Sequence, residues 1–330
     1  MTPSVARPAS TTAVATALLI VYVVWGSTYL AIAFAIETLP PLLSAGVRFV
    51  VAGCLLLGVT AAYRRWRRSR GDVDGHEPLR WANWRATAIV GVLLLLGGNG
   101  GVVFAEQYIP SGVAAVLVAT MPIWLALLDA LRTRRAPSRV AVAGLIAGVV
   151  GVAVLLAPVE GLGDLNALGV IIVVAAALSW AIGSLYARHS ELPSSGALAT
   201  GMEMLCGGVA LLVVGSMIGE IGRADPASFS LTSVLALGYL VVFGSILAFS
   251  AYTWLLAHAP VTVVGTYAYV NPIVAVALGA MINDEQITPR TIIAAVIIIG
   301  AVVAMVSGRP REGATVDQKP AELGAREAAT

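Results

Sequence analysis

Charge is what this sequence has least of. Asp, Glu, Lys and Arg make up 12% of its 330 residues, whereas a soluble domain carries about a quarter. A chain so poor in polar surface cannot face water on all sides, which excludes an ordinary soluble globule. Cysteine is nearly absent too. Cys54 and Cys206 sit inside apolar runs without metal-ligand spacing, so they read as small buried packing residues and say nothing of redox compartment. The three histidines, His76, His189 and His258, are scattered over expected connecting loops, which leaves no basis for a metal site. Neither Gly-x-Ser-x-Gly nor His-Glu-x-x-His occurs, nor does an ATP-binding loop.

What replaces charge is apolar length, with 58% hydrophobic residues. Ten apolar runs are legible, at 13–36, 41–62, 86–105, 112–131, 139–157, 168–187, 197–219, 231–256, 262–282 and 290–307. Most reach the ~20 residues that a helix needs to cross a hydrocarbon core of about 30 Å. In lipid the backbone must satisfy its own hydrogen bonds, and runs of this length do so as helices. The first run is too long for a signal-peptide core of about 7–15 residues. The expected organisation is a cytoplasmic segment 1–12, two five-helix units at 13–157 and 168–307, and a disordered cytoplasmic tail 308–330.

Positive charge sets the expected orientation. With the N-terminus inside, one side collects 17 of the 20 Lys and Arg, from Arg7 through the cluster Arg64, Arg65, Arg67, Arg68 and Arg70 to Arg326. The other side holds only Arg223 and Arg290, and Arg48 falls within the membrane. Cytoplasmic loops carry the Lys/Arg excess, so both termini are expected in the cytoplasm of a plasma-membrane protein. Tyr63-Arg64-Arg65-Trp66-Arg67-Arg68 reads as a juxtamembrane loop that signals orientation.

The two halves echo each other. Met121-Pro122 and Asn271-Pro272 are 150 residues apart, as are Pro110 and Pro260; Trp25-Gly26-Ser27-Thr28-Tyr29 resembles the stretch from Trp180 to Tyr186. An odd number of spans per half forces the second half to enter upside down, the architecture of many secondary transporters. A duplicated scaffold without transport remains the alternative.

Several blocks resemble EamA-type members of the drug/metabolite transporter superfamily. They are Trp25-Gly26-Ser27-Thr28-Tyr29, Glu37-Thr38-Leu39-Pro40-Pro41, Arg48-Phe49, Asn99-Gly100-Gly101, Ala105-Glu106-Gln107-Tyr108, Ala119-Thr120-Met121-Pro122-Ile123-Trp124 and Tyr269-Val270-Asn271-Pro272. The likeness spans residues 15 to 306, although Asn283-Asp284-Glu285 stands where that family often has Gly-Glu. It implies ten helices as two inverted five-helix repeats, a central cavity, and export of small metabolites, amino acids or drugs.

Polar groups at membrane depth are costly and mark candidate sites. Arg48 lies roughly 10 Å below one face and could bind a carboxylate or clamp backbone carbonyls. Glu203 aligns with it at an offset of 155 residues, which also brings Gly53 onto Gly208; it could carry a coupling proton or stay neutral and hydrogen-bonded. Asn99, Asn271, Trp25, Tyr29, Trp124, Trp180 and Tyr267 are cavity candidates, with packing as the rival role for each. Asp129 and Glu106 sit at span ends and read as solvated, and Gly144 with Gly148 marks a close helix contact. Gly161-Leu162-Gly163-Asp164 spells the Gly-x-Gly-Asp of intramembrane aspartyl proteases, but no second membrane Asp is placed to share a proton. No enzyme is expected. The expected partners are a small-molecule substrate, the bilayer and protons, with a homo-oligomer left open and no cofactor, metal or nucleic acid. An uptake carrier or exchanger is the nearest rival, and a membrane sensor or assembly subunit the rival from another class.

Overall fold

The computed structural model describes residues 10–70, 79–109, 114, 117–134, 137–156, 166–282 and 289–307. The segment 1–9, the loop holding Gly161–Asp164, residues 283–288 and the tail from 308 lie outside them. Among the described residues the chain is helical with turns and no strand.

Among the described residues, six helices are long and apolar enough to cross a membrane. They are α1 (Thr11–Ile36), α2 (Pro41–Ser69), α3 (Trp81–Ala105), α6 (Ala167–His189), α7 (Gly196–Met217) and α8 (Leu231–His258). Four shorter helices complete the set: α4 (Met121–Thr133), α5 (Arg139–Leu156), α9 (Tyr267–Ile282) and α10 (Pro289–Ser307). The expectation of ten spans therefore rests on six by length and on these four by position. Large aliphatic side chains such as Val59, Ile171, Leu235 and Val296 point outward, the surface of an integral membrane protein whose solvent is lipid.

Helix starts follow local chemistry. Ser10 Oγ accepts from Ala13 N, Asn166 Oδ1 from Leu168 N and Gly169 N, and Ser230 Oγ from Ser233 N, each filling donors that a first turn leaves free. α2 opens on Pro41 and is capped from a distance. Glu220, on the one-turn helix Glu220–Arg223, accepts from Leu42 N (3.1 Å) and Leu43 N (2.8 Å).

Several expectations change here. The basic stretch Arg64–Arg68 is the end of α2 rather than a loop; nothing breaks the helix there, and cations suit its C-terminal dipole. His189 and His258 close α6 and α8, each ring Nδ1 meeting the carbonyl four residues back, Leu185 O and Trp254 O (both 2.8 Å). Cys54 is exposed and Cys206 half-buried, so neither is a core residue, because the outer face of a span is apolar without being inside the protein. Runs four and nine are interrupted. Ala119-Thr120 turns before α4, where Pro122 takes a first-turn position that needs no N–H. Gly265-Thr266 separates the turn Val261–Val264 from α9.

The helices pair in a repeating scheme. α2 lies along α7 and α5 along α10; α3 packs on α6 as α8 packs on α1, and α4 on α6 as α9 on α1. The α2–α7 seam is built from glycine. A Cβ on Gly53 would come within 2.8 Å of Gly201 O, and one on Gly208 within 2.7 Å of Val50 N, so the backbones approach as only small residues permit. Gly144 and Gly148 do make a close contact, but inside the chain. A Cβ on each would meet Met305 and the ring of Tyr269 at 2.8 Å.

α3 and α8 share one irregularity. Each widens at mid-span into a π-helical segment, Val92–Gly100 and Leu240–Leu247. Wide turns displace carbonyls from the helical ladder, and neighbouring helices take them up. Ser179 Oγ of α6 donates to Leu93 O (2.8 Å), and Trp25 Nε1 of α1 donates to Gly244 O (3.0 Å).

Candidate functional site

A cavity opens beside both wide turns, with about 790 Å³ of empty space including its mouth. It descends along α1 from Ile32 to Trp25, about 10 Å at the helical rise. α3 contributes Asn99 and its C-cap Glu106, α6 contributes Trp180, α8 Gly244 and Phe249, and α9 Tyr267 and Asn271. The site thus draws on both halves of the chain. That position follows from the wide turns, which leave Gly98 and Gly244 at the lining where a normal side chain would fill the space.

The floor is aromatic. The Trp25 ring sits 5.6 Å from Trp180, 5.0 Å from Tyr252 and 4.9 Å from Tyr267. The contacts with Trp180 and Tyr267 are edge-to-face, and aromatic pairs of this kind stabilise by about 0.5–1.5 kcal/mol each beyond area burial. Beyond the floor, Tyr22 and Thr266 join their hydroxyls, and Asn271 Nδ2, with its amide oriented to suit its neighbours, donates to Tyr267 O (3.0 Å) and Tyr22 O (3.3 Å).

The walls hold few polar groups. Arg48 is 4% exposed. Its Nε donates to Ser245 Oγ (2.8 Å), and its guanidinium carbon lies 4.7 Å from the centre of the Phe49 ring. Among the described residues it meets no carboxylate. Arg48 sits where Gly244 leaves room: a Cβ there would fall 2.9 Å from Arg48 Nη2. Asn99 Oδ1 is buried with no hydrogen-bond partner, an arrangement that native proteins reserve for special sites. Glu106, the residue that caps the end of α3, stands two turns beyond Asn99 and within electrostatic reach of Tyr29. Burial pushes its carboxyl up to about 7.

Of the sequence candidates, the cavity brings together Trp25, Tyr29, Arg48, Asn99, Trp180, Tyr267 and Asn271. Trp124 is not among its lining; it is half-buried against the main core. Glu203 also stands apart, 1% exposed within α7 with Oε2 unpartnered. Glu106 lines the cavity instead of standing free in solvent. Its seven-residue spacing from Asn99 was the available signal, since i and i+7 share a helix face. Phe249 and Tyr252 left no such signal in an already apolar span. Among the described residues no group of acidic, histidine or cysteine side chains could hold a metal ion.

A many-helix membrane protein with an internal cavity drawn from both halves and one buried cation in its wall has the build of a membrane transporter. The chain belongs to the EamA-like transporter family, whose sequence model matches residues 12–157 and again 167–307. It is 38% identical over 301 residues to the Escherichia coli K12 protein called uncharacterized inner membrane transporter YedA, covering 89% of this chain and 90% of that one. It is 25% identical over 316 residues to the uncharacterized transporter YvbV of Bacillus subtilis, covering 95% and 97%. A solved crystal structure superposes with a TM-score of 0.71 at 20% identity, over 89% of this chain and 96% of that chain, a likeness of fold alone.

Proposed function

We propose that this protein exports small organic molecules bearing a carboxylate, by alternating access between its two five-helix halves in the plasma membrane. The observation that carries the proposal is Arg48, a buried guanidinium on a cavity wall without a carboxylate partner. An unpaired buried charge is costly, and a planar guanidinium binds a carboxylate through two parallel hydrogen bonds. Asn99 Oδ1 supplies an acceptor, and the aromatic floor offers apolar contact for the rest of the molecule. The role of Trp25, Tyr29, Trp180, Tyr267 and Asn271 in this reading is to line the path and shape it.

Helix pairing supports opposed halves. Contacts such as α3 with α6 and α8 with α1 are those that an exchange of two inverted units would generate. Inverted units give inward-open and outward-open states of similar energy, so a gradient can drive the exchange without ATP. The Lys/Arg bias supports a cytoplasmic position for both termini.

The test compares small molecules in the medium and in extracts of cells expressing wild type or Arg48→Ala at matched membrane levels. Carboxylates enriched outside and depleted inside with the wild type alone are expected. The reverse distribution would make the protein an uptake carrier, and no difference across a broad panel would remove transport altogether.

A further inference from the structure

A guanidinium can offer a carboxylate either of two edges, the side edge of Nε and Nη2 or the end edge of Nη1 and Nη2. At Arg48 the wide turn of α8 decides between them. Ser245, fully buried in that turn, accepts from Arg48 Nε at 2.8 Å. The residue before it is glycine, and Nη2 occupies the room this leaves. A Cβ on Gly244 would stand 2.9 Å from Nη2 and 3.6 Å from the guanidinium carbon. Both nitrogens of the side edge therefore lie against α8, and the end edge is left over.

The contact does more than satisfy a buried donor. Arg48 carries five N–H donors, and Nε is the one that finds an acceptor; among the described residues neither Nη nitrogen has a hydrogen-bond partner. A clamp whose purpose was to neutralise the group would spend the Nη donors as well. Here the Nη pair is kept free on a cavity wall.

The same helix sets the rings beneath the cation. Gly244 O accepts from Trp25 Nε1 (3.0 Å), and one span-length contact further on Tyr252 Oη accepts from Trp180 Nε1 (2.7 Å). Gly244 thus meets Arg48 through its missing side chain and Trp25 through its carbonyl. The group that would hold an anion and the floor that would hold an apolar remainder are oriented by one backbone residue.

We propose that Ser245 and Gly244 are positioning residues that set the specificity of the cavity: they hold the side edge of Arg48 against α8 and present its end edge to the substrate carboxylate. Both act through Arg48. Two carboxylate oxygens match the paired Nη donors, whereas the uncharged amide of the same shape sets its own N–H against one of them. The identity of the ligand rests on the export reading; the orientation of Arg48 does not.

Equilibrium binding of benzoate and of benzamide to the purified protein in detergent tests the specificity. Ser245→Ala should weaken benzoate about tenfold, the scale of a hydrogen bond to a charged group, while benzamide changes less than about twofold. Ser245→Thr, which keeps the hydroxyl, should retain the wild-type preference. Gly244→Ala keeps Ser245 but puts carbon beside Nη2, and should lose it. A ratio of benzoate to benzamide affinity that Ser245→Ala and Gly244→Ala leave unchanged would overturn the proposal. Melting temperatures judge the seat with no ligand present. The cost of Ser245→Ala should vanish in an Arg48→Met background, and an equal cost in both backgrounds would also overturn it. A cost that vanishes, together with no exported carboxylate, would leave the seat standing and the export reading failed.

Discussion

Arg48 and Glu203 occupy matching places in the two halves, and their surroundings differ. Arg48 has an open side: it lines the cavity, with a neighbouring serine and a ring to steady it. Glu203 has none. It sits between glycine-lined backbones with one oxygen unpartnered. The contrast teaches that duplication supplies two equivalent positions, and packing then decides which one meets a ligand. A wide turn beside Arg48 leaves Gly244 and hence space; glycines beside Glu203 bring backbones together and remove it.

The contrast can be broken most severely at its tightest point. Gly91→Leu forces carbon to within 2.3 Å of Glu203 O, and backbone cannot yield as a flexible side chain can. Overpacking costs about 1–3 kcal/mol when neighbours can move, and more is expected here. Loss of folded protein, or a large fall in detergent melting temperature, is the expected readout.

Next in size is Arg48→Gln, which removes the cation and keeps part of the packing. Charge-assisted hydrogen bonds contribute about 1.5–3 kcal/mol, so export of carboxylates should fall by more than about tenfold. Glu203→Gln sharpens the comparison. Substrate affinity in detergent should stay within about threefold of wild type, because the cavity does not include residue 203. Equal losses of affinity in the two variants, followed by equilibrium binding, would erase the distinction drawn between the sites.

Two smaller effects test the cavity boundary. Glu106, with its carboxyl pushed up to about 7 by burial, is largely protonated below that pH and ionised above it. Binding of an anion at Arg48 should therefore weaken as pH rises through about 7, and Glu106→Gln should flatten that step. Trp124→Phe, outside the lining, should change flux less than twofold at matched expression.

Much of the fold was legible because lipid imposes one constraint at a time: length, then polarity, then charge bias. α1 and α8 begin within two residues of the expected runs. α2 ran longer than expected because the apolar window ends before the helix does, and Arg64–Arg68 continue it. The breaks at Ala119-Thr120 and Gly265-Thr266 were hidden, since an interrupted apolar run has the same composition as a straight one. At the site, Arg48 and Asn99 were visible as costly polar groups. Glu106 was misread because nearness to a span end was weighed above its helix face. Ser245 and Tyr252 were invisible, for a hydroxyl in a span gives no sign of its partner until the neighbouring helix is in place.

The wide turns of α3 and α8 have a mechanical meaning as well. Each stores backbone slack within an otherwise continuous rod, since a π-helical turn takes more residues than an α-helical one. Slack can pass from one turn to the next by exchanging single backbone bonds, without unravelling the rod. The stretch it passes over then rolls by about 100° and slides by about 1.5 Å, which would turn Gly244 off the cavity wall while both ends of the span stay anchored.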